Sequence, residues 1–124
     1  MPDGRFLVEM VSGVPVVAAP EEIDICNAAE LHAALLDAAA AADEAGTLVA
    51  DMTRTRFCDA AGVHTLAAAH KRAQAEGGEL LLVVSSAAVL RVFAITGIDR
   101  VIPNFMSLDD ALAHTSPQGQ AGQR

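Results

Sequence analysis

The sequence predicts one α/β domain built on a mixed sheet of about five strands, with an opening hairpin and about four helices. Three patterns carry that prediction. Two short apolar runs, residues 48–52 and 80–84, read as strands buried on both faces, the habit of strands inside a sheet. Alanine-rich stretches of helical length alternate with them, opened by polar cap residues and closed by glycine. Ahead of these, two segments rich in Val and other apolar residues flank Ser12-Gly13, a turn signal.

Taken in order, residues 5–11 and 14–19 form the hairpin. Residues 20–26 read as a connecting loop. Asn27, with Glu30 three residues later, makes an approximate capping box for a helix over 28–45. Leu31, Leu35 and Leu36 supply its packing face, its alanines let it lie close to the sheet, and Gly46 ends it. The strand over 48–52 leads to a second helix over 60–76, with Val63, Leu66, Ala67 and Ala73 on one side and Lys71, Arg72 and Gln74 on the other. Gly77-Gly78 stops that helix before the strand over 80–84. Ser85-Ser86 caps a third helix over 87–96, which offers Leu90, Val92, Phe93 and Ile95 for packing and stops at Gly97. The last strand falls within 98–104, and Ser107 with Asp110 caps a short helix ending near His114. Strands alternating with helices after the hairpin call for right-handed crossovers. No repeat or linker divides the chain, so the domain is expected over residues 1–114. The Gly, Gln and Ser rich tail, 115–124, is expected to be disordered.

Composition narrows the function. Apolar residues make up 52% of the 124, enough for an ordinary core, while aromatics are 3% with no Trp or Tyr. That disfavours a base-stacking nucleic-acid binder. A net charge of −8 would repel a phosphate backbone and an anionic membrane surface alike. No apolar run approaches the ~20 residues of a membrane span, and the start lacks a basic flank followed by an apolar stretch and a cleavage site. The expected location is the cytoplasm. Cys26 and Cys58 are too few for a disulfide framework and read as reduced thiols, with a redox pairing between them the lesser alternative. His32, His64, His70 and His114 form no metal-ligand set. No nucleophile-base or phosphate-loop pattern is present. The chain is therefore expected to be no enzyme and to use no cofactor and no metal.

The most informative stretch is residues 48–66, running from strand through loop to helix and placing Asp59-Ala60-Ala61-Gly62 at the helix mouth. Unpaired N–H groups and the positive end of the dipole make such a mouth favourable for an anion. Asp59 on its own chemistry is a helix cap and Asp24 a loop carboxylate. The run Phe57-Cys58-Asp59-Ala60-Ala61-Gly62-Val63 resembles the signature of the STAS family, the sulfate transporter and anti-sigma factor antagonist domains. There the stretch reads apolar, apolar, Asp, Ser, Ser or Thr, Gly, Leu or Val. The resemblance covers roughly residues 6–114 and extends to the order of elements.

The resemblance implies a non-catalytic binding module. Its partner would be an anti-sigma factor, a kinase-like ATP-binding protein, whose capture frees a sigma factor. In phosphorylatable members the second hydroxyl of the turn, which matches Ala61 here, is the one phosphorylated; alanine closes that route, and of the hydroxyls that remain nearby, Thr53, Thr55 and Thr65, the last two are the substitutes to consider. Acidic residues matching Asp24 and Asp59 lie beside that hydroxyl in the family. The expected partner surface comprises Asp24, Thr55, Phe57, Cys58, Asp59, Ala60, Ala61, Gly62, His64 and Thr65. The alternative is a STAS subunit that binds and stabilises the ATPase of a transport complex, and a third reading is a small-molecule or nucleotide sensor. Homodimerisation stays open.

Overall fold

The structure, a computed structural model, describes residues 6–42 and 46–115, with side chains to residue 114. In chain order the elements are β1 (Leu7–Val11), β2 (Val14–Ala18), β3 (Glu22–Ile23), α1 (Ala28–Ala41), β4 (Thr47–Met52), β5 (Phe57–Cys58), α2 (Ala60–Ala75), β6 (Glu79–Val84), α3 (Ala87–Thr96), a 3-10 turn (Ile98–Arg100), β7 (Asn104–Phe105) and α4 (Leu108–Thr115). The main sheet runs β1-β2-β4-β6-β7. The hairpin pair is antiparallel and the other pairings are parallel, so the sheet is mixed as expected.

Strand alternation assigns the core. In β4 and β6, Leu48, Ala50, Met52, Leu80, Leu82 and Val84 face one way and meet Leu31 and Leu35 of α1, Val63 and Leu66 of α2, and Phe93 of α3. Val49, Leu81 and Val83 face the other way, with Val14, Val16 and Ala111 of α4. Helices on both faces explain why the two central strands are apolar at nearly every position. Ser86 and Ser107 cap their helices through Oγ, accepting from the Val89 and Asp110 N–H groups at 3.4 and 3.1 Å. Gly97, at φ 82°, ends α3 in the left-handed conformation that favours glycine.

Several expectations need correction. The loop over 20–26 contains β3, which pairs with β5 in a separate two-stranded sheet. Asn27 makes no side-chain cap bond; its amide turns back, accepting from Asp24 N at 3.0 Å and donating to the Glu22 carbonyl at 2.9 Å. Helix α1 ends at Ala41, with Ala42 already extended, instead of running to 45. Ile95 is 78% exposed, because it lies roughly 200° around α3 from the buried Phe93. Of residues 98–104 only Asn104 belongs to a strand; Ile98 and Ile102 enter the core from a 3-10 turn and its exit. The expected helical residues 43–45, the hairpin start at residue 5 and the tail beyond 115 lie outside the described residues. On the far edge of the sheet, β1 pairs with β2 alone among the described residues, and its Leu7, Val8 and Met10 are exposed.

Candidate functional site

The two-stranded sheet builds the site. Ile23 lies opposite Cys58 in a parallel bridge, so Asp24 and Asp59 are the residues that directly follow two adjacent strands. Phe57 N–H and Arg56 N–H both donate to the Glu21 carbonyl, at 3.2 and 2.7 Å, and Asp59 N–H donates to the Ile23 carbonyl at 3.1 Å. The Asp24 loop is stiffened from within. Asp24 Oδ1 accepts from Cys26 N–H at 2.9 Å, and its carbonyl accepts from the Asn27 and Ala28 N–H groups at 3.1 and 2.9 Å. A local turn of this kind is what a short Asp side chain favours.

Asp59 is the helix cap that the sequence suggested. Its backbone is extended (φ −93°, ψ −173°), and Oδ1 accepts from Gly62 N–H at 3.1 Å. Gly62 is buried against the small sheet: a Cβ there would lie 2.6 Å from Cys58 Sγ and 2.8 Å from Ile23 Cγ2. The glycine of the motif thus lets α2 rest its first turn on the bridge that joins Asp24 to Asp59.

Around this mouth the surface is apolar and open. Ile25 is 77% exposed and Phe57 49%. Ala61 and His64 line a groove of about 430 Å³ between α1 and α2, with Ile25, His32 and Thr65. On the other side of α2, Ala60 and His64 line a second groove of about 270 Å³ with Val63, Ile98 and the exposed Val101. Exposed His64 stands on the ridge between the two. Ile25 and Val101 were missed by sequence reasoning; an isoleucine between Asp24 and Cys26 in an otherwise polar loop was the available signal.

The two threonines separate. Thr55 is fully buried, and its hydroxyl donates to the Pro20 carbonyl at 2.8 Å. That places its hydroxyl away from the accessible surface of this structure. Thr65 is half-buried, its hydroxyl 3.5 Å from the Ala28 carbonyl across the first groove. Cys58 is also buried, and burial first, then the charge of Asp59, pushes its thiol up to about 12. It packs in the core below the surface, and a thiol held so high is protonated at neutral pH. Cys26 is exposed, and both thiols are free. Among the described residues no group of three or more His, Cys, Asp or Glu side chains could hold a metal ion. No described helix is long and apolar enough to cross a membrane.

Comparison with known proteins agrees with this architecture. The family model for the STAS domain matches residues 5–111. An anti-sigma factor antagonist from Mycobacterium paratuberculosis has 34% identity and a TM-score of 0.78, over 88% of this chain and 91% of that one. The phosphorylated Bacillus cell fate determinant SpoIIAA is similar at 21% identity and a TM-score of 0.66, over 90% of this chain and 99% of that one. The murine Slc26a9 anion transporter matches at 22% identity and 0.68, over 91% of this chain but 18% of its own. These last two likenesses show the fold alone. A search of curated protein sequences gave no match. With the family model spanning most of its length and the mycobacterial antagonist aligned nearly end to end, the chain belongs to the STAS domain family.

Proposed function

We propose that this chain is a non-catalytic docking module of the anti-sigma factor antagonist kind. It binds a kinase-like, ATP-binding anti-sigma factor in the cytoplasm and thereby frees a sigma factor, with no phosphorylation at position 61. The observation that carries the reading is the β3–β5 bridge. It brings Asp24 and Asp59 to the ends of neighbouring strands at a helix mouth whose rim, Ile25 and Phe57, is exposed and apolar. Exposed apolar anchors beside fixed charges are what a specific protein interface uses. The 34% identity to a protein described as an anti-sigma factor antagonist points the same way.

In a phosphorylatable relative, a phosphate at this turn would add nearly two negative charges beside Asp59 and repel the partner. Ala61 offers no oxygen for it, so docking here is constitutive or governed from another part of the molecule. Thr65, half-buried beside Ala61 in the first groove, is a nearby hydroxyl to consider. The transport-complex alternative rests on likeness of fold alone.

The test is capture of partners from the native cell with the tagged full chain, followed by calorimetry with the purified partner. A kinase-like anti-sigma factor is expected, with affinity reduced at least about tenfold, or ~1.4 kcal/mol, by Phe57→Ala. Asp59→Lys is expected to abolish binding. Capture of a transport ATPase in its place, or indifference to both substitutions, would refute the reading. Phosphate transfer to Thr65 that abolishes binding would refute its switchless part.

A further inference from the structure

At the β6–β7 edge the parallel ladder is short. Leu82 lies opposite Asn104, and its N–H donates to the Pro103 carbonyl at 3.0 Å. One ladder step earlier, the same register would set Leu80 opposite Ile102 and aim its N–H at the Val101 carbonyl. An imidazole stands there instead. Leu80 N–H donates to Nδ1 of His70 at 3.2 Å, and the same ring is hydrogen-bonded to the backbone of Val101. With Nδ1 accepting, the proton of the neutral ring is on Nε2, which leaves Nε2 as the donor to the Val101 carbonyl. His70, on α2, is 2% exposed. Its ring thus stands in the place of the missing rung, accepting from Leu80 N–H with the Val101 backbone against it.

We propose that His70 is a protonation-operated clamp that ties the Val101 segment to the sheet edge and so shapes the groove between α2 and the 3-10 turn. A proton taken from solvent onto Nδ1 converts the acceptor into a donor facing the Leu80 N–H. That bond is lost, and a charge appears in the core. The imidazolium then keeps only its Val101 partner, and Val101 loses its link through the ring to Leu80 of β6, while Pro103 stays bonded to Leu82. Because Val101 lines the groove beside Ala60, Val63 and His64, the groove changes shape with it. The effect on docking rests on the function proposed above; the clamp itself does not.

The surrounding charges set how readily this happens. Burial holds the ring below the ordinary histidine range, while Glu79 of β6 and the Val101 bond oppose that. Glu79 also pairs with His114 of α4 at 3.4 Å. Lys71 and Arg72 on α2, Glu30 and Asp37 on α1, and Asp99 and Arg100 ahead of Val101 are all exposed; His32 lines the other groove, and Cys58 of β5 is a neutral thiol. Acidification therefore works against burial with the help of one carboxylate.

The experiment is amide hydrogen exchange by NMR on the free full chain from about pH 8 to about pH 5, read as protection factors. In the wild type, protection of Leu80 and Ile102 is expected to fall at least about tenfold more than that of Val49 in the sheet centre. His70→Gln keeps an uncharged acceptor and donor and is expected to show no such difference. Wild-type protection that stays flat, or an equal fall in His70→Gln, overturns the clamp. Should His70→Gln not fold, the ¹⁵N titration of the wild-type ring decides. Nδ1 protonation coincident with loss of Leu80 protection supports the clamp, and a ring that titrates while Leu80 stays protected overturns it. Partner affinity that stays flat with pH while the clamp titrates would overturn the link to docking and leave the docking reading itself intact.

Discussion

At residue 62 the packing leaves no room for a methyl group. A Cβ would press on Cys58 Sγ and Ile23 Cγ2, and the Ile23 atom belongs to a fully buried side chain. Gly62→Ala should destabilise the fold by about 1–3 kcal/mol, seen as a lower urea midpoint at unchanged slope. The same crowding explains the inert thiol beneath it. Maleimide labelling at neutral pH should modify exposed Cys26 and leave Cys58 at least about a hundredfold slower until the chain unfolds. Comparable rates would contradict the burial. Some of this was legible in advance: Asp59 was readable as a cap because cap, glycine and apolar run stand in one short stretch. The burial of Thr55 was not, since its hydroxyl is fixed by a carbonyl 35 residues away in the chain.

Among the elements, those with a long hydrophobic period or a cap at each end were predictable, and those without were not. Strands β4 and β6 announce themselves by largely apolar runs, and α3 by Ser86 and Gly97. Strands β3 and β5 have two residues each, too few to show any alternation, and exist because each supplies the other's hydrogen bonds. The C-terminal end of α1 was overestimated because a run of alanines continues past Ala41 with no internal reason to stop. Helix α2 depends on its mouth. Asp59→Ala removes the acceptor for Gly62 N–H and should cost about 1 kcal/mol of stability. Partner affinity should fall by more than this loss accounts for, because Asp59 is also placed in the docking surface. Equal affinity for wild type and variant, measured where both are fully folded, would restrict Asp59 to capping.

Over the whole molecule, the sequence order of elements translated directly into layers, because alternating strands and helices leave few ways to bury both faces of β4 and β6. The site followed only in part. Its centre lay in the motif, but the grooves and Ile25 depend on how α1, α2 and the 3-10 turn lie together. Stability should respond to acid through His70, whose ordinary value is 6.5 and whose folded value is lowered by burial. Below about pH 6.5 the unfolded chain takes up that proton while the folded chain resists it, so stability falls until the folded value is reached. Above that range this contribution is constant. Urea midpoints should therefore decline on the acid side in the wild type, with the part due to His70 missing in His70→Gln.

The outer edge of β1, unpaired among the described residues, gives the molecule a colloidal character as well as a fold. Leu7, Val8 and Met10 stand on a strand whose outer hydrogen-bonding groups invite another strand, so every collision between copies tests that edge. At pH 7 the chain's charge of −8 keeps such collisions brief. Acidification toward the isoelectric point, near 4.7, removes the repulsion and leaves the edge as adhesive as before. The shelf life of a concentrated solution is thereby set by acidity and salt at the sheet margin, independently of whether the helix mouth finds its partner.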